Sequence, residues 1–546
     1  MLEQIIKNLI KEKSLSEKKL SKLKRQLASK NKELAMAKTS ALLEEYHKLV
    51  ALGKIKPSSK LEAFLRTRRV RTLSGVAVVT VLTKPFKCPG RCLYCPDEKG
   101  MPKSYLKNEP AAARAFMLKF DPYNQVQTRL RALRFTGHKT DKIELIVLGG
   151  TWSSYPIKYK YWFIRECFRG VNDFLKNLEL KTKNEKPQLK IRNFGQLRDS
   201  LKQEQKKNER AKNRVVGLTL ETRPDFVDKK EILQMRDLGC TRIELGVQTL
   251  DDKILKLNRR GHNVKQTIKA TLLLKNTGFK VNYHLMVNLP GSTPVKDLAQ
   301  FRKLFSDQNF QPDLLKIYPC SVLETAPLYG WWKQKKYKPY SQKQLQELLI
   351  KIKQVLPPYV RAQRVIRDIP KESIAAGSKI SNLRQLLQQE MAKRSLRCQC
   401  IRCREIKDAA PDEKIELVRR EYRASDGKEI FLSFEDKSRE RLYALLRLRL
   451  PGQKETPVLP ILKDSAFIRE LHTYGALVPL AGHKSSLAIQ HRGLGKKLMS
   501  EAEKIVRRET SFKKIAVISG VGVRDYYRRL GYRLQDEYLV KKLRAH

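Results

Sequence analysis

No apolar run in this sequence approaches the length of a membrane-spanning helix, and the amino-terminal segment is charged where a secretion signal would be apolar. These absences argue against a membrane partner or an export leader, and they predict a soluble chain of cytoplasmic type. Cysteine is scarce as well. There are nine in 546 residues, and six fall in two tight clusters, which suits metal ligation in a reducing compartment better than disulfides. Acidic residues are few beside basic ones: 56 Asp and Glu against 114 Lys and Arg, a net charge of +58. An imbalance of that size is the footprint of a polyanion partner, with nucleic acid the leading class, although a lysine-rich composition alone carries no specificity.

The length allows two or three domains. Their reference point is the stretch Lys87 to Glu98, where Cys88, Cys92 and Cys95 form a CxxxCxxC loop just after the strand-like run Val76 to Leu82. Three thiolates on one loop hold three irons of a [4Fe–4S] cluster and leave the fourth iron open for S-adenosylmethionine (SAM). Tyr94 is placed to pack over such a cluster. A zinc knuckle is the alternative and wants a fourth ligand close by. No further Cys or His occurs until His138.

Residues 1–70 read as a basic helical arm, either solvated or gripping phosphates. Residues 71–390 repeat strand, loop and helix, the pattern of a partial TIM barrel, with a lysine-rich, solvated insertion near 181–214. The strands end in Gly149-Gly150-Thr151, in Glu221, in Gln248 and in Asn288-Leu289-Pro290, all on the rim where barrels place their chemistry. Gly149 and Gly150 offer carbonyls to the SAM amino group, and Glu221 and Gln248 are further candidate SAM contacts; ordinary turn and strand-end roles are the plainer readings. Residues 391–416 carry Cys398, Cys400 and Cys403, whose cramped CxCxxC spacing suits a structural zinc ion, with a second iron–sulfur cluster as the rival and Cys320 a candidate fourth ligand. Residues 417–546 suit an α/β domain. Gln490 to Gly495 in it opens a helix, and Gly493 and Gly495 let backbone amides reach a pyrophosphate, the arrangement of a coenzyme A cradle.

These motifs occur together with Asp121-Pro122-Tyr123, Leu220 to Asp225, Leu245 to Gln248, Arg260-Gly261-His262, Arg367 to Pro370 and Ala516 to Gly522. In that order they closely resemble the Elp3 family, the catalytic subunit of Elongator and its stand-alone prokaryotic counterparts. The resemblance implies a radical SAM domain fused to a GNAT-type acetyltransferase domain, acting on the anticodon stem-loop of tRNA with acetyl-CoA. It carries the cluster ligands onto Cys88, Cys92 and Cys95. The acetyl-CoA positions fall on Lys142, on Glu470, Leu471, His472 and Thr473, on Leu494, Gly495 and Lys496, and on Tyr527. The loop Gly482 to Ser486 departs from the family pattern. Elongator-type partner subunits are not required, and a homodimer stays open.

The implied reaction converts wobble uridine 34 to 5-carboxymethyluridine, by a SAM-derived radical acting on the methyl group of acetyl-CoA. Lys142, Tyr526 and Tyr527 are its candidate catalytic residues, one tyrosine of the pair orienting the thioester or serving as general acid while the other packs in the core. The alternative is a protein lysine acetyltransferase with a structural cluster and Glu470 as base; the charge weighs against it, because basic protein tails would be repelled.

Overall fold

The branched apolar runs form one parallel sheet. In a computed structural model, which describes residues 2–12, 14–16, 19–21, 23, 39–66, 72, 74–179, 193–406, 414–452, 457–475 and 493–543, seven strands stand side by side in chain order. They are β1 (Ala77–Leu82), β2 (Lys142–Leu148), β3 (Arg214–Thr222), β4 (Arg242–Gln248), β5 (Lys280–Val287), β6 (Leu314–Pro319) and β8 (Arg361–Arg364). Every neighbouring pair is parallel, so all seven carboxyl ends share one rim of a curled half-barrel. A small ribbon pairs β7 (Val322–Leu323) with β9 (Ile374–Ala376) beyond that rim.

Local chemistry explains several of the motifs. Asp121 caps the helix Pro122–Phe135, its carboxylate accepting from the Asn124 N–H at 2.8 Å, with proline at the first helical position where no donor is missed. The reading of 181–214 as a solvated insertion is corrected in its second half. Residues Phe194–Asn208 form a helix with Leu197, Leu201, Glu204 and Gln205 buried, packed on the helix Ile157–Asn172. Its polar residues are occupied: Asn208 donates to Asn172 and accepts from the Val215 N–H. Positions 181–192 lie outside the described residues. At the amino terminus, helices Leu2–Lys11, Thr39–Ala51 and Ser59–Leu65 bury a separate small core of Ile5, Ile6, Leu42, Leu43, Leu61 and Leu65.

The carboxy-terminal sheet contains β10 (Ile415–Arg423), β11 (Gly427–Asp436), β12 (Leu442–Pro451), β13 (Ser465–Thr473), β14 (Lys514–Val517), β15 (Arg533–Gln535) and β16 (Tyr538–Lys542). Their order is β10-β11-β12-β13-β14-β16-β15. Only β13 and β14 pair in parallel, joined by the helix Leu494–Glu509, and their pairing stops at Ile468 and Val517. Beyond that point the two strands part, while Glu470 to Thr473 continue against β12.

The two sheets meet over a buried ionic seam. Asp313, Lys275, Glu429, Arg447, Arg449 and Arg469 are all fully or almost fully buried there. Arg469 donates to both Asp313, at 2.5 and 3.0 Å, and Glu429 at 2.9 Å. Two glycines let the backbones close: a Cβ on Gly520 would lie 2.1 Å from the Val216 carbonyl oxygen, and one on Gly522 would lie 2.5 Å from Arg214. The Ala516 to Gly522 motif is therefore a packing element at this seam.

Candidate active site

The cysteine loop leaves β1 and is pinned from three directions. The Leu93 N–H donates to the Asn258 carbonyl, the Leu93 carbonyl accepts from Leu328, and the Asp97 N–H donates to Thr325. Gly90 is required by crowding, since a Cβ there would lie 2.6 Å from Arg223 Nη1 and within 3.7 Å of the Cys88 and Cys92 sulfurs. Two guanidiniums face the loop. Arg260 donates to Cys92 Sγ at 3.5 Å and to the Gly246 carbonyl at 2.6 Å. Arg223 is held by Asp225 at 2.8 and 2.9 Å, leaving its buried Nη1 at Gly90 without a partner. Burial and the neighbouring Cys92 push the Cys95 thiol up to about 12. Three thiols beside an orphaned guanidinium nitrogen are the donor set for an anionic cluster, whose irons would release the thiol protons.

The sulfur spacings separate the two cysteine groups. Cys398, Cys400 and Cys403 place their sulfurs within 4.8 Å of one another. A single tetrahedral ion with bonds of about 2.3 Å wants them about 3.8 Å apart. Cys88, Cys92 and Cys95 do not form so tight a group, and thiolates on different irons of one cluster need the wider spacing. The neighbouring Cys398 and Cys400 thiols draw the Cys403 thiol below its ordinary range, and Lys353 Nζ lies 3.4 Å from its sulfur. Cys320 is not part of this group. It packs with Leu289, Leu328 and Tyr337 under the other rim, which corrects its candidacy as fourth ligand.

Gly149, Glu221, Gln248 and Asn288 stand at the carboxyl ends of β2, β3, β4 and β5. Gly149 has φ +145°, and a Cβ there would collide with Thr83 Oγ1 at 1.9 Å. Gln248 and Asn288 end β4 and β5 with left-handed φ of 71° and 66°, conformations that side chains adopt at a cost and that cluster at ligand sites. Glu221 keeps its carboxylate 3.4 Å from His284 Nδ1. Burial opposes its charge, but His284 and Lys316 outweigh that and hold the carboxyl below its ordinary range.

Behind Glu221 the half-barrel interior is polar, which the sequence reading missed. His284 Nε2 lies 2.8 Å from Glu244, which also pairs with Lys316 and accepts from Asn282 at 3.2 Å. Arg242 pairs with Glu144. The signal was available, because Arg242, Glu244, Asn282 and His284 recur at alternate positions of otherwise apolar strands.

The remaining candidates collect at the opposite ends of the same strands. Lys142 begins β2, opposite Arg214 in register, on the side where Gly522 packs. Its amine is held below the ordinary lysine range by burial. Glu470 is clasped by Arg447 at 2.8 Å and by Lys280, the first residue of β5, at 3.4 Å. Burial raises its pKa, but Lys280 and Arg447 dominate and keep it ionised far below the usual carboxylate range. A carboxylate paired with two cations is a weak general base. His472 is neutral through burial and donates from Nε2 to the Ser74 carbonyl at 2.7 Å.

Gly493 starts the helix Leu494–Glu509 with φ +72°. A Cβ on Gly495 would lie 3.0 Å from the Tyr526 hydroxyl, 3.8 Å from Leu471 and 3.9 Å from Thr473 Oγ1. These four residues therefore converge, beside the first-turn amides of Leu494, Gly495 and Lys496. Gln490 and the loop Gly482 to Ser486 lie outside the described residues. Of the tyrosine pair, Tyr526 is half-buried beside the cradle, with its hydroxyl pushed up to about 12 by burial. Tyr527 is buried in the core between Tyr526 and Tyr532, in edge-to-face contacts at 5.2 and 6.3 Å.

The chain matches two families: the radical SAM superfamily over residues 84–304 and the radical SAM C-terminal domain over residues 312–393. It is 45% identical over 493 residues to the tRNA uridine(34) acetyltransferase of Methanocaldococcus infernus, covering 88% of each chain. It is 38% identical over 496 residues to human Elongator complex protein 3, covering 88% of this chain and 86% of that one. Among solved structures it is similar to the archaeal Methanocaldococcus infernus Elp3 with an amino-terminal deletion. That match has a TM-score of 0.71 at 41% identity and covers 86% of this chain and 99% of the other.

Proposed function

The chain belongs to the family of the tRNA uridine(34) acetyltransferases and Elongator complex protein 3, and from that premise we propose that it modifies the wobble uridine of tRNA, using acetyl-CoA to form 5-carboxymethyluridine. The observation that carries the reading is that three thiols beside Arg223 and Arg260 stand at one rim, while Gly495, Leu471, Thr473 and Tyr526 converge on a glycine-started helix at the other end. The order of the carboxy-terminal strands, with one splayed parallel pair crossed by a glycine-started helix, supports a GNAT-type domain. The net charge of +58 supports a polyanionic substrate. Among the described residues no helix is long and apolar enough to cross a membrane.

Cys88, Cys92 and Cys95 would hold a [4Fe–4S] cluster that, when bound, supplies one-electron cleavage of SAM. Arg223 and Arg260 offset the negative charge of that loop, and the Tyr94 ring walls its far side. The Gly149 and Gly150 carbonyls would accept from the amino group of bound SAM, and Glu221, held below its ordinary range by His284 and Lys316, would offer a second acceptor on the same rim. At the other end, the amides of Leu494, Gly495 and Lys496 point along a helix dipole toward the coenzyme diphosphate. The missing Cβ of Gly495 lets Leu471, Thr473 and Tyr526 close against the start of the helix, beside where the coenzyme would bind. Tyr526 donates to the thioester carbonyl from its protonated hydroxyl; Tyr527 holds that ring in place. Lys142, with its amine depressed by burial, would steady the developing charge on the acyl side. Cys398, Cys400 and Cys403 would hold a structural zinc ion that fixes the segment between the two sheets.

The test is acetyl-CoA hydrolysis by the purified chain with and without tRNA. Hydrolysis that requires tRNA and is lost in both Lys142→Ala and Tyr526→Phe supports the reading. Turnover indifferent to tRNA but dependent on a lysine-bearing protein would overturn it.

A further inference from the structure

A cavity beside the cysteine loop lies outside this scheme. It encloses about 740 Å³ and opens between Pro89, Gly90 and Arg91 of the cysteine loop and the turn that carries Lys256, Arg259 and His262. Its mouth is cationic, since Arg91, Lys256 and Arg259 are exposed. The one acid in the lining, Asp252, already accepts from the Val264 N–H at 2.8 Å.

Its floor is different in kind. His262 is 6% exposed, and neither ring nitrogen has a hydrogen-bond partner. The Val247 backbone stands beside the ring but outside hydrogen-bond geometry. Burial and the adjacent Arg260 guanidinium push its pKa down to about 3, so the ring is neutral and offers one N–H donor and one acceptor. Gly261, at φ +78° with Arg223 Nη2 3.0 Å from where its Cβ would be, fixes the turn that presents the ring. A buried polar group left unpaired is unfavourable, so the arrangement suits a ligand that completes it. Three cations exclude a metal ion. A bare phosphate would leave the neutral donor–acceptor pair unused.

We propose that this cavity takes an unpaired nucleotide of the anticodon loop adjacent to the wobble uridine, its phosphate on Arg91, Lys256 and Arg259 and its base edge on His262. The inference rests on the tRNA reading above and adds to it a residue that selects among anticodon loops. Because Gly90 backs directly onto the Cys88 and Cys92 sulfurs, the nucleotide would sit against the loop that holds the cluster. An acidic electron-carrier protein would find the same cations but would make no use of a buried imidazole.

The test measures binding of a fluorescent anticodon stem-loop RNA to the full chain at fixed salt, by anisotropy. Wild type, His262→Ala and Arg259→Gln are each titrated with intact RNA and with RNAs abasic at one or the other position flanking the wobble uridine. His262→Ala is expected to weaken intact RNA about tenfold and to have no further effect on one of the abasic RNAs. Arg259→Gln, an exposed position that does not threaten folding, should weaken all RNAs alike and lower the salt slope by about one. Equal losses with every RNA in His262→Ala, or none, would overturn the proposal while tRNA-dependent hydrolysis leaves the function standing. Loss of SAM affinity in His262→Ala would give the cavity to SAM instead. Unchanged RNA affinity with slower cluster reduction by an acidic ferredoxin in Arg259→Gln would make it a protein dock. A wild type that binds no stem-loop at all would sink the function itself.

Discussion

Replacing Asp313 by asparagine tests whether the two sheets form one body. The carboxylate is fully buried and accepts from Arg469 at 2.5 and 3.0 Å and from the Val281 N–H at 2.8 Å. Lys275 and Arg447 stand 3.6 and 3.7 Å away. Asn keeps the shape but removes the charge, leaving four buried cations, Lys275, Arg447, Arg449 and Arg469, to share Glu429 and Glu470. Removing one member of such a network costs about 3–5 kcal/mol, because the stranded charges cannot return to water. Unfolding of so long a chain is not two-state, so the readout is hydrogen exchange of β12 and β13 in increasing urea. The pH sign follows from the depressed pKa. Burial raises it, but Arg469, Lys275 and Arg447 dominate and hold Asp313 far below its ordinary value. Its contribution is therefore present above the unfolded carboxylate value of about 3.9 and is lost only as pH falls through the folded one. In Asp313→Asn the exchange protection should already be low at neutral pH and should fall less steeply in acid. A variant within about 1 kcal/mol of wild type at neutral pH would refute the claim that this seam holds the sheets together.

Three further outcomes follow from the same geometry. Elemental analysis should find one zinc per chain, lost in Cys400→Ser with the iron retained; loss of iron instead would give that triad to a cluster. Gly495→Ala pushes a methyl to 3.0 Å from the Tyr526 hydroxyl, so acetyl-CoA affinity by calorimetry should fall several-fold and recover in part when Tyr526→Phe is added; unchanged affinity would remove Gly495 from the cradle. Arg260→Gln withdraws a positive charge 3.5 Å from Cys92, which should shift the cluster to a more negative reduction potential in an EPR titration; a shift of opposite sign would refute the electrostatic role given to Arg260.

The parts most legible in the sequence were those written in backbone terms. Glycines, prolines and cysteines at strand ends announced the rim, and Gly493 with φ +72° announced the helix start. Two kinds of feature were hidden. The helix Phe194–Asn208 reads as solvated because most of its residues are polar, yet Asn208, Gln205 and Glu204 spend their polar groups on hydrogen bonds within the fold. Likewise Lys275, Arg447, Arg449 and Arg469 counted as surface charge in the composition, but they are buried against Asp313 and Glu429. A long-range partner cannot be read from neighbours in sequence, and these partners come from another sheet. Of the family motifs, Ala516 to Gly522 closes a seam and Asp121 to Tyr123 caps a helix.

The run of β5 from Lys280, at the Glu470 carboxylate, to Val287, at the rim, has a kinetic meaning. Seven residue rises amount to about 23 Å, and the buried seam packs the two sheets against each other. In the proposed reaction the acyl group would therefore be delivered by the reach of its own tether, at an effective concentration set by tether length and not by domain motion. Shortening that tether below the span would end delivery abruptly, whereas lengthening it would dilute delivery only gradually.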